Sequence, residues 1–207
     1  MKSLWLSSLL IFFLSCVITS KLSKRKETSD TTTIQNYFSN KGNTFQYKTD
    51  VTIYGKFFSG ILFIKFTNDT TCRVAFTTPP GAKLFEMQLT PKTSTTFEVI
   101  KQMDRAIVIK AIQKNIRMFV MLDNFIGETK KVENKEGDKY LVYRKSTSDL
   151  IYQFYKAEEG SINKIEALNK QYILKMGLVA KDFENGIPKD VLIKNYNFKL
   201  TLHLIKL

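Results

Sequence analysis

Apolar and polar residues alternate along most of this chain with the period of two that marks β-strands with one buried face. The pattern is densest over residues 57–89. Residues 60–66 are almost wholly apolar, and the run stops at Thr67-Asn68-Asp69-Thr70, a turn composition. In the next run Cys72, Val74 and Phe76 point one way, while Arg73, Ala75 and Thr77 point the other. That run ends at Pro79-Pro80-Gly81. A third run sets Phe85, Met87 and Leu89 against Leu84, Glu86 and Gln88. These three runs predict an antiparallel meander with one apolar face. Since residues 60–66 are apolar on both sides, register decides whether Phe63 or Phe66 faces inward.

Further strands are predicted at residues 44–54, with Phe45 and Tyr47 on one face, and at 95–101, with Phe97 and Val99 opposite Glu98. Others fall at 139–145, 149–156 (Leu150, Tyr152 and Phe154 together), 162–168 and 171–181. Residues 191–207 read as one long strand or a bent pair, with Tyr196, Phe198, Leu200, Leu202 and Leu204 sharing a face. Residues 127–138 are a charged loop or hairpin turn, Glu158-Glu159 sits in a turn, and Asn185-Gly186-Ile187-Pro188 breaks the pattern. One segment changes period. Residues 105–122 hold no Gly or Pro, and Val108, Ile112, Ile116, Phe119 and Val120 recur at helical spacing, with Asp104 placed to cap the start. The sum is mainly β (α+β), with about nine or ten antiparallel strands and one helix. So many strands need a second layer, or must curl round a core or cavity.

The first residues add an address. Lys2 precedes an apolar run that ends at Ser15-Cys16. A membrane-spanning helix needs about 20 apolar residues, and this run has about half as many. It has the order of a secretory signal, and Phe13-Leu14-Ser15-Cys16 resembles a lipobox, in which the cysteine after the cut is acylated. An ordinary signal cut after Ser20 is the alternative. Residues 1–15 are therefore expected as signal, 16–33 as a flexible basic tether carrying Lys21, Lys24, Arg25 and Lys26, and 34–207 as one β domain. With Cys16 acylated, Cys72 is left with no disulfide partner and reads as a small buried hydrophobe.

Composition narrows the partners. The formal net charge is +13, which favours an anionic surface. Export argues against nucleic acid, and the lysines are scattered through strands, as on a solvated surface. Enzymatic signals are weak. The lone His203 lies on the polar face of the last strand, and no nucleophile elbow, metal-ligand spacing or phosphate loop is present. No catalytic residue, metal or cofactor is expected. What remains is an apolar face, read either as a packed core or as a cavity for acyl chains.

The acylated Cys16, the strand with Gly60-Ile61-Leu62, then Arg73-Val74-Ala75-Phe76 and Pro80-Gly81-Ala82-Lys83-Leu84-Phe85, and Ile187-Pro188 before a long terminal strand resemble the LolA/LolB lipoprotein carriers and acceptors. The resemblance covers residues 34–207 in order of elements. It implies an unclosed β-barrel with a helix lid over a hydrophobic cavity, and Cys16 favours the LolB type, an outer-membrane lipoprotein facing the periplasm. The implied cavity lining is Phe66, Phe76, Phe85, Met87, Phe97, Tyr152, Phe154, Tyr196 and Phe198, and the lid face is Val108, Ile112, Ile116 and Phe119. Pro79, Pro80, Gly81 and Ala82 are the nearest counterpart of the family's apolar delivery loop. The implied protein is a monomer that meets a membrane, the acyl chains of lipoproteins or lipids, and a soluble periplasmic carrier. The alternative is an envelope lipoprotein with a solid β core that binds a protein partner.

Overall fold

A computed structural model describes residues 26–29, 37–38, 43–68, 70–122, 129–133, 139–144, 150–156 and 161–207. Cys16, the signal and most of the tether lie outside the described residues, as does Glu158-Glu159.

The strands are β1 (Lys26–Ser29), β2 (Thr44–Ile53), β3 (Lys56–Asn68), β4 (Thr71–Thr77), β5 (Lys83–Leu89) and β6 (Ser94–Val99), then β7 (Thr129–Glu133), β8 (Lys139–Arg144), β9 (Ile151–Lys156), β10 (Ile162–Leu168), β11 (Leu174–Glu184), β12 (Ile187–Asn195) and β13 (Leu200–Lys206). Helix α1 (Ala106–Phe119) falls between β6 and β7. All described strands form one sheet in the order β1-β7-β8-β9-β10-β11-β12-β13-β2-β3-β4-β5-β6, and every pair is antiparallel. The sheet does not close: β1 and β6 are its edges.

Thirteen strands laid flat would be about 60 Å wide, whereas a helix of 14 residues is about 21 Å long. Yet side chains from β2 to β5 and from β9 to β13 join those of α1 in a single buried cluster. The sheet therefore curls around its helix, as right-handed strand twist allows. Connectivity fits that arrangement. The chain leaves the sheet at edge strand β6, passes through α1, and re-enters at β7 near the opposite edge.

Two hairpins, Tyr54-Gly55 and Asn185-Gly186, turn on pairs with positive φ (46 and 80°, 51 and 77°). That is the type I′ requirement which Asn-Gly meets cheaply. Hence Asn185-Gly186 joins two long strands, and Ile187 and Pro188 pair in the ladder beyond it. Gly60 answers a different need. A Cβ there would collide with the Thr77 carbonyl oxygen and come within 2.9 Å of the Phe76 ring.

Several expectations are corrected. Lys26–Ser29, inside the presumed tether, pairs with β7 at the sheet edge, and β7 itself lies in the stretch read as a charged loop or hairpin turn, where it forms a hairpin with β8. The helix begins one residue later than expected. Arg105 occupies the N-cap with φ −131 and ψ 130 and no side-chain cap bond, leaving Asp104 one position too early to cap. At the other end Leu122 N–H donates to the Arg117 carbonyl at 3.3 Å and Met121 N–H to that of Met118 at 3.4 Å. This is a Schellman closure with Met121 at φ 48 where Gly is usual. Met121 is buried, so side-chain packing offsets its backbone strain.

Candidate functional site

The inner face of the sheet is built by strand alternation. In β2 the buried set is Phe45, Tyr47, Thr49, Val51 and Ile53; in β3 it is Gly60, Leu62, Ile64 and Phe66. Register settles the ambiguity in β3: Phe66 pairs with Cys72 and joins the core, while Phe63 is only half-buried on the other face. Onto this surface α1 lowers Val108, Ala111, Ile112, Asn115, Ile116, Met118 and Phe119. The four predicted lid residues are all in this set.

Phe119 is the hub of the aromatic cluster. Its ring lies 5.2 Å from Phe38, 5.4 Å from Tyr47 and 6.4 Å from Tyr37. Phe38 in turn meets Phe45 at 4.8 Å and Phe66 at 5.9 Å. Edge-to-face and tilted pairs of this kind each add about 0.5–1.5 kcal/mol to area burial. Tyr37 and Phe38 enter from the segment before β2, where no periodic signal announces them. Phe76 and Phe85 pair at 5.4 Å, and Tyr152 and Phe154 at 6.3 Å, on other parts of the same face.

Of the predicted lining, Phe66, Phe76, Phe85, Met87, Tyr152, Phe154 and Phe198 are gathered in the buried cluster. Phe97 and Tyr196 are not: they are 54% and 47% exposed. A bulge explains Phe97. Glu86 pairs with Glu98 but Met87 pairs with Thr96, so Phe97 has no place in the ladder. Its ring lies under the Arg73 guanidinium at 5.1 Å instead. Tyr196 falls just past β12, its N–H donating to the Lys175 carbonyl at 2.9 Å, and its ring covers Gly177. The turn resets the parity, and Phe198 is the first residue to point inward again.

The delivery-loop counterpart is a short, self-closed turn. Thr78 N–H donates to the Ala82 carbonyl at 2.8 Å, Gly81 N–H to that of Thr78 at 2.9 Å, and Ala82 N–H to Thr78 Oγ1 at 3.1 Å. Pro79, Pro80, Gly81 and Ala82 are all exposed on it.

Among the described residues, polar groups on the inner face are accounted for with one exception. The Tyr37 hydroxyl donates to the Ile162 carbonyl at 2.5 Å, the Tyr47 hydroxyl to that of Pro188 at 3.0 Å, and Thr49 Oγ1 to that of Tyr47 at 3.1 Å. Burial raises both phenols well above the ordinary tyrosine range, so they remain neutral donors. It also pushes the Cys72 thiol up to about 12, which keeps it protonated and poor as a nucleophile. The exception is Asn115. Its side chain is fully buried, and neither Nδ2 nor Oδ1 has a partner. Each unmet group costs about 1–3 kcal/mol. A signal for it existed in the sequence: Asn115 sits three residues after Ile112 and four before Phe119, inside the apolar stripe.

The other side of α1 is tied to one hairpin. Arg117 Nη1 donates to the Thr90 carbonyl at 2.6 Å and to Ser94 Oγ at 3.2 Å, and Nη2 donates to the Pro91 carbonyl at 3.0 Å. Gln113 Nε2 donates to Thr96 Oγ1 at 3.1 Å. On the outer face Glu86 receives Arg73 Nε and Lys83 Nζ, both at 2.6 Å. The Lys83 hydrogen bond, then that of Arg73, holds the Glu86 carboxyl below its usual range against the opposing effect of burial. His203 lies partly exposed on the outer face, where its Nε2 is 2.9 Å from Asp190 Oδ1. Among the described residues no helix is long and apolar enough to cross a membrane.

No protein-family model matches the sequence, and no curated protein matches it. Among solved structures the chain is similar to a LolA superfamily protein of Nitrosomonas europaea, with TM-score 0.53, 10% identity, and coverage of 82% of this chain and 86% of that one. It is also similar to a DUF1329 family protein of Desulfovibrio piger (TM-score 0.47, 8% identity, 82% and 85% covered). A third is a domain of Vibrio parahaemolyticus described as an outer membrane lipoprotein-sorting protein (TM-score 0.45, 7% identity, 82% and 86% covered). At such identities the likeness speaks to fold, and only the first is close enough to carry that argument. The unclosed antiparallel sheet with its covering helix is a LolA-like fold.

Proposed function

We propose that this protein is a membrane-anchored, non-enzymatic receptor for the acyl chains of lipoproteins or other lipids, which it takes up beneath α1 and helps to place in the outer membrane. One observation carries the reading: among the described residues, one amphipathic helix covers an apolar face drawn from most of an unclosed sheet. The helix contributes apolar side chains and one amide to that face. An acyl chain offers the same chemistry and could replace it, at about 0.8 kcal/mol for each CH₂ removed from water. In this reading the anchor is an acylated Cys16, the basic residues beside it rest on anionic head groups, and a soluble periplasmic carrier delivers the cargo.

The competing reading is a solid β core with a protein partner on the outer face. The near-complete burial of the inner aromatic rings favours it in the closed form. Melting temperature separates the two. A ligand that binds only the folded state raises stability by mass action. For the anchor-free domain, a saturable upward shift on adding an N-palmitoylated peptide supports the carrier. No shift, together with a loss of about 3–5 kcal/mol in Phe85→Ala, supports the packed module.

A further inference from the structure

Among the described residues, the buried side-chain atoms without a hydrogen-bond partner are Asn115 Nδ2, Asn115 Oδ1 and Gln153 Nε2. Gln153 lies on the outer side of β9, between Ile151 and Tyr155, and its Oε1 accepts from the Tyr155 hydroxyl at 3.2 Å. Asn115 is different in kind. It lies in the middle of the buried face of α1, flanked by Ala111, Ile112, Met118 and Phe119, and both ends of its amide are unmet. The hydroxyl protons of Tyr37, Tyr47 and Thr49 on the same face go to backbone carbonyls and not to Asn115. A leucine would fit the same helical stripe with no unmet group.

We infer that Asn115 is the specificity residue of the inner face: its amide pairs with the linkage that joins an acyl chain to its carrier, and it selects an amide linkage over an ester. This rests on the acyl-chain reading above and goes beyond it to the ligand's functional group. The argument is one of matching. Asn115 offers a donor at Nδ2 and an acceptor at Oδ1. An N-acyl amide presents a carbonyl and an N–H, and so can satisfy both. An acyl ester presents only acceptors and leaves Oδ1 unmet in an apolar site. A bare hydrocarbon leaves both unmet. A site that holds a buried polar group discriminates strongly against a ligand that fails to pair with it.

The experiment uses the domain from residue 17 onward, without the acylation site, and a fluorescent fatty-acyl probe. The probe is displaced by three palmitoyl competitors of equal chain length: an N-palmitoyl peptide, palmitic acid methyl ester, and the matching alkane. The amide should displace it about tenfold more tightly than the ester, the factor that one added hydrogen bond provides. Asn115→Leu should bind all three alike, and the unliganded variant should melt at a higher temperature than the wild type. Asn115→Gln, which keeps the amide, should retain part of the preference. If the wild type binds the three competitors equally, or if Asn115→Leu keeps the preference for the amide, the inference is overturned and the carrier reading stands. Should neither the probe nor any competitor bind, both fall together. The wild-type comparison alone decides the matter if Asn115→Leu does not fold.

Discussion

Glycine 60 shows how one absent atom can set the spacing of two strands. The backbone of β4 passes so close that any Cβ would meet the Thr77 carbonyl, and carbonyls do not bend away as side-chain ends do. Gly60→Ala should therefore cost about 1–3 kcal/mol, in the range of overpacked cores. A urea midpoint unchanged from wild type would mean that the end of β4 yields. Glu86 sets a pH dependence. Its folded carboxyl is held below the ordinary value by Lys83 and Arg73, so the unfolded chain binds the proton more readily. The stabilisation is full above the unfolded carboxylate pKa of about 4.3 and is lost as pH falls through the depressed folded value. Glu86→Gln should narrow the difference in urea midpoint between neutral and acid pH. An unaltered difference would show that the trio contributes nothing to acid sensitivity.

At the scale of elements, α1 is held by unlike means on its two sides. Its inner stripe is apolar and exchangeable. Its outer side is latched by Arg117, which reaches the carbonyls of Thr90 and Pro91 in the β5–β6 turn. Hydrogen bonds to a charged donor contribute about 1.5–3 kcal/mol, so Arg117→Ala should loosen the helix by that order. Amide exchange should quicken in residues 106–119 while β2 and β13 stay protected. In the carrier reading, stopped-flow uptake of an acyl probe should also quicken. Uniform loss of protection over the whole sheet would instead mark Arg117 as a global stabiliser.

For the whole molecule, the open sheet places β6 at one edge and β7 next to the other, with α1 as the bridge between them. β1 ties the segment after Cys16 to that same edge through β7. Under the proposed function, Cys16→Ser should release the protein from the membrane fraction. Retention of the variant after a high-salt wash, which screens the basic residues, would remove the lipid anchor from the proposal.

How much of this was legible in the sequence depends on the range of the interaction involved. Period-two alternation determined which residues of β2, β4, β5 and β13 face the core, because side-chain direction in a strand is a local property. Period 3.6 likewise marked the buried face of α1. Turn chemistry at Asn185-Gly186 was local too. Tertiary structure alone decided the rest. The face shown by Phe63 and Phe66 depended on pairing with β4, and the outward placement of Phe97 on a bulge opposite β5. The resetting of parity after Tyr196 needed β11 beside it. β1 and β7, polar and short, became strands through pairing, β7 between β8 and β1 and β1 against β7, and Tyr37 and Phe38 found a core assembled from strands far along the chain. Asn115 was visible as a residue in an apolar stripe, but its isolation was not. Whether a buried amide has a partner is a property of everything packed around it, and no local pattern records that.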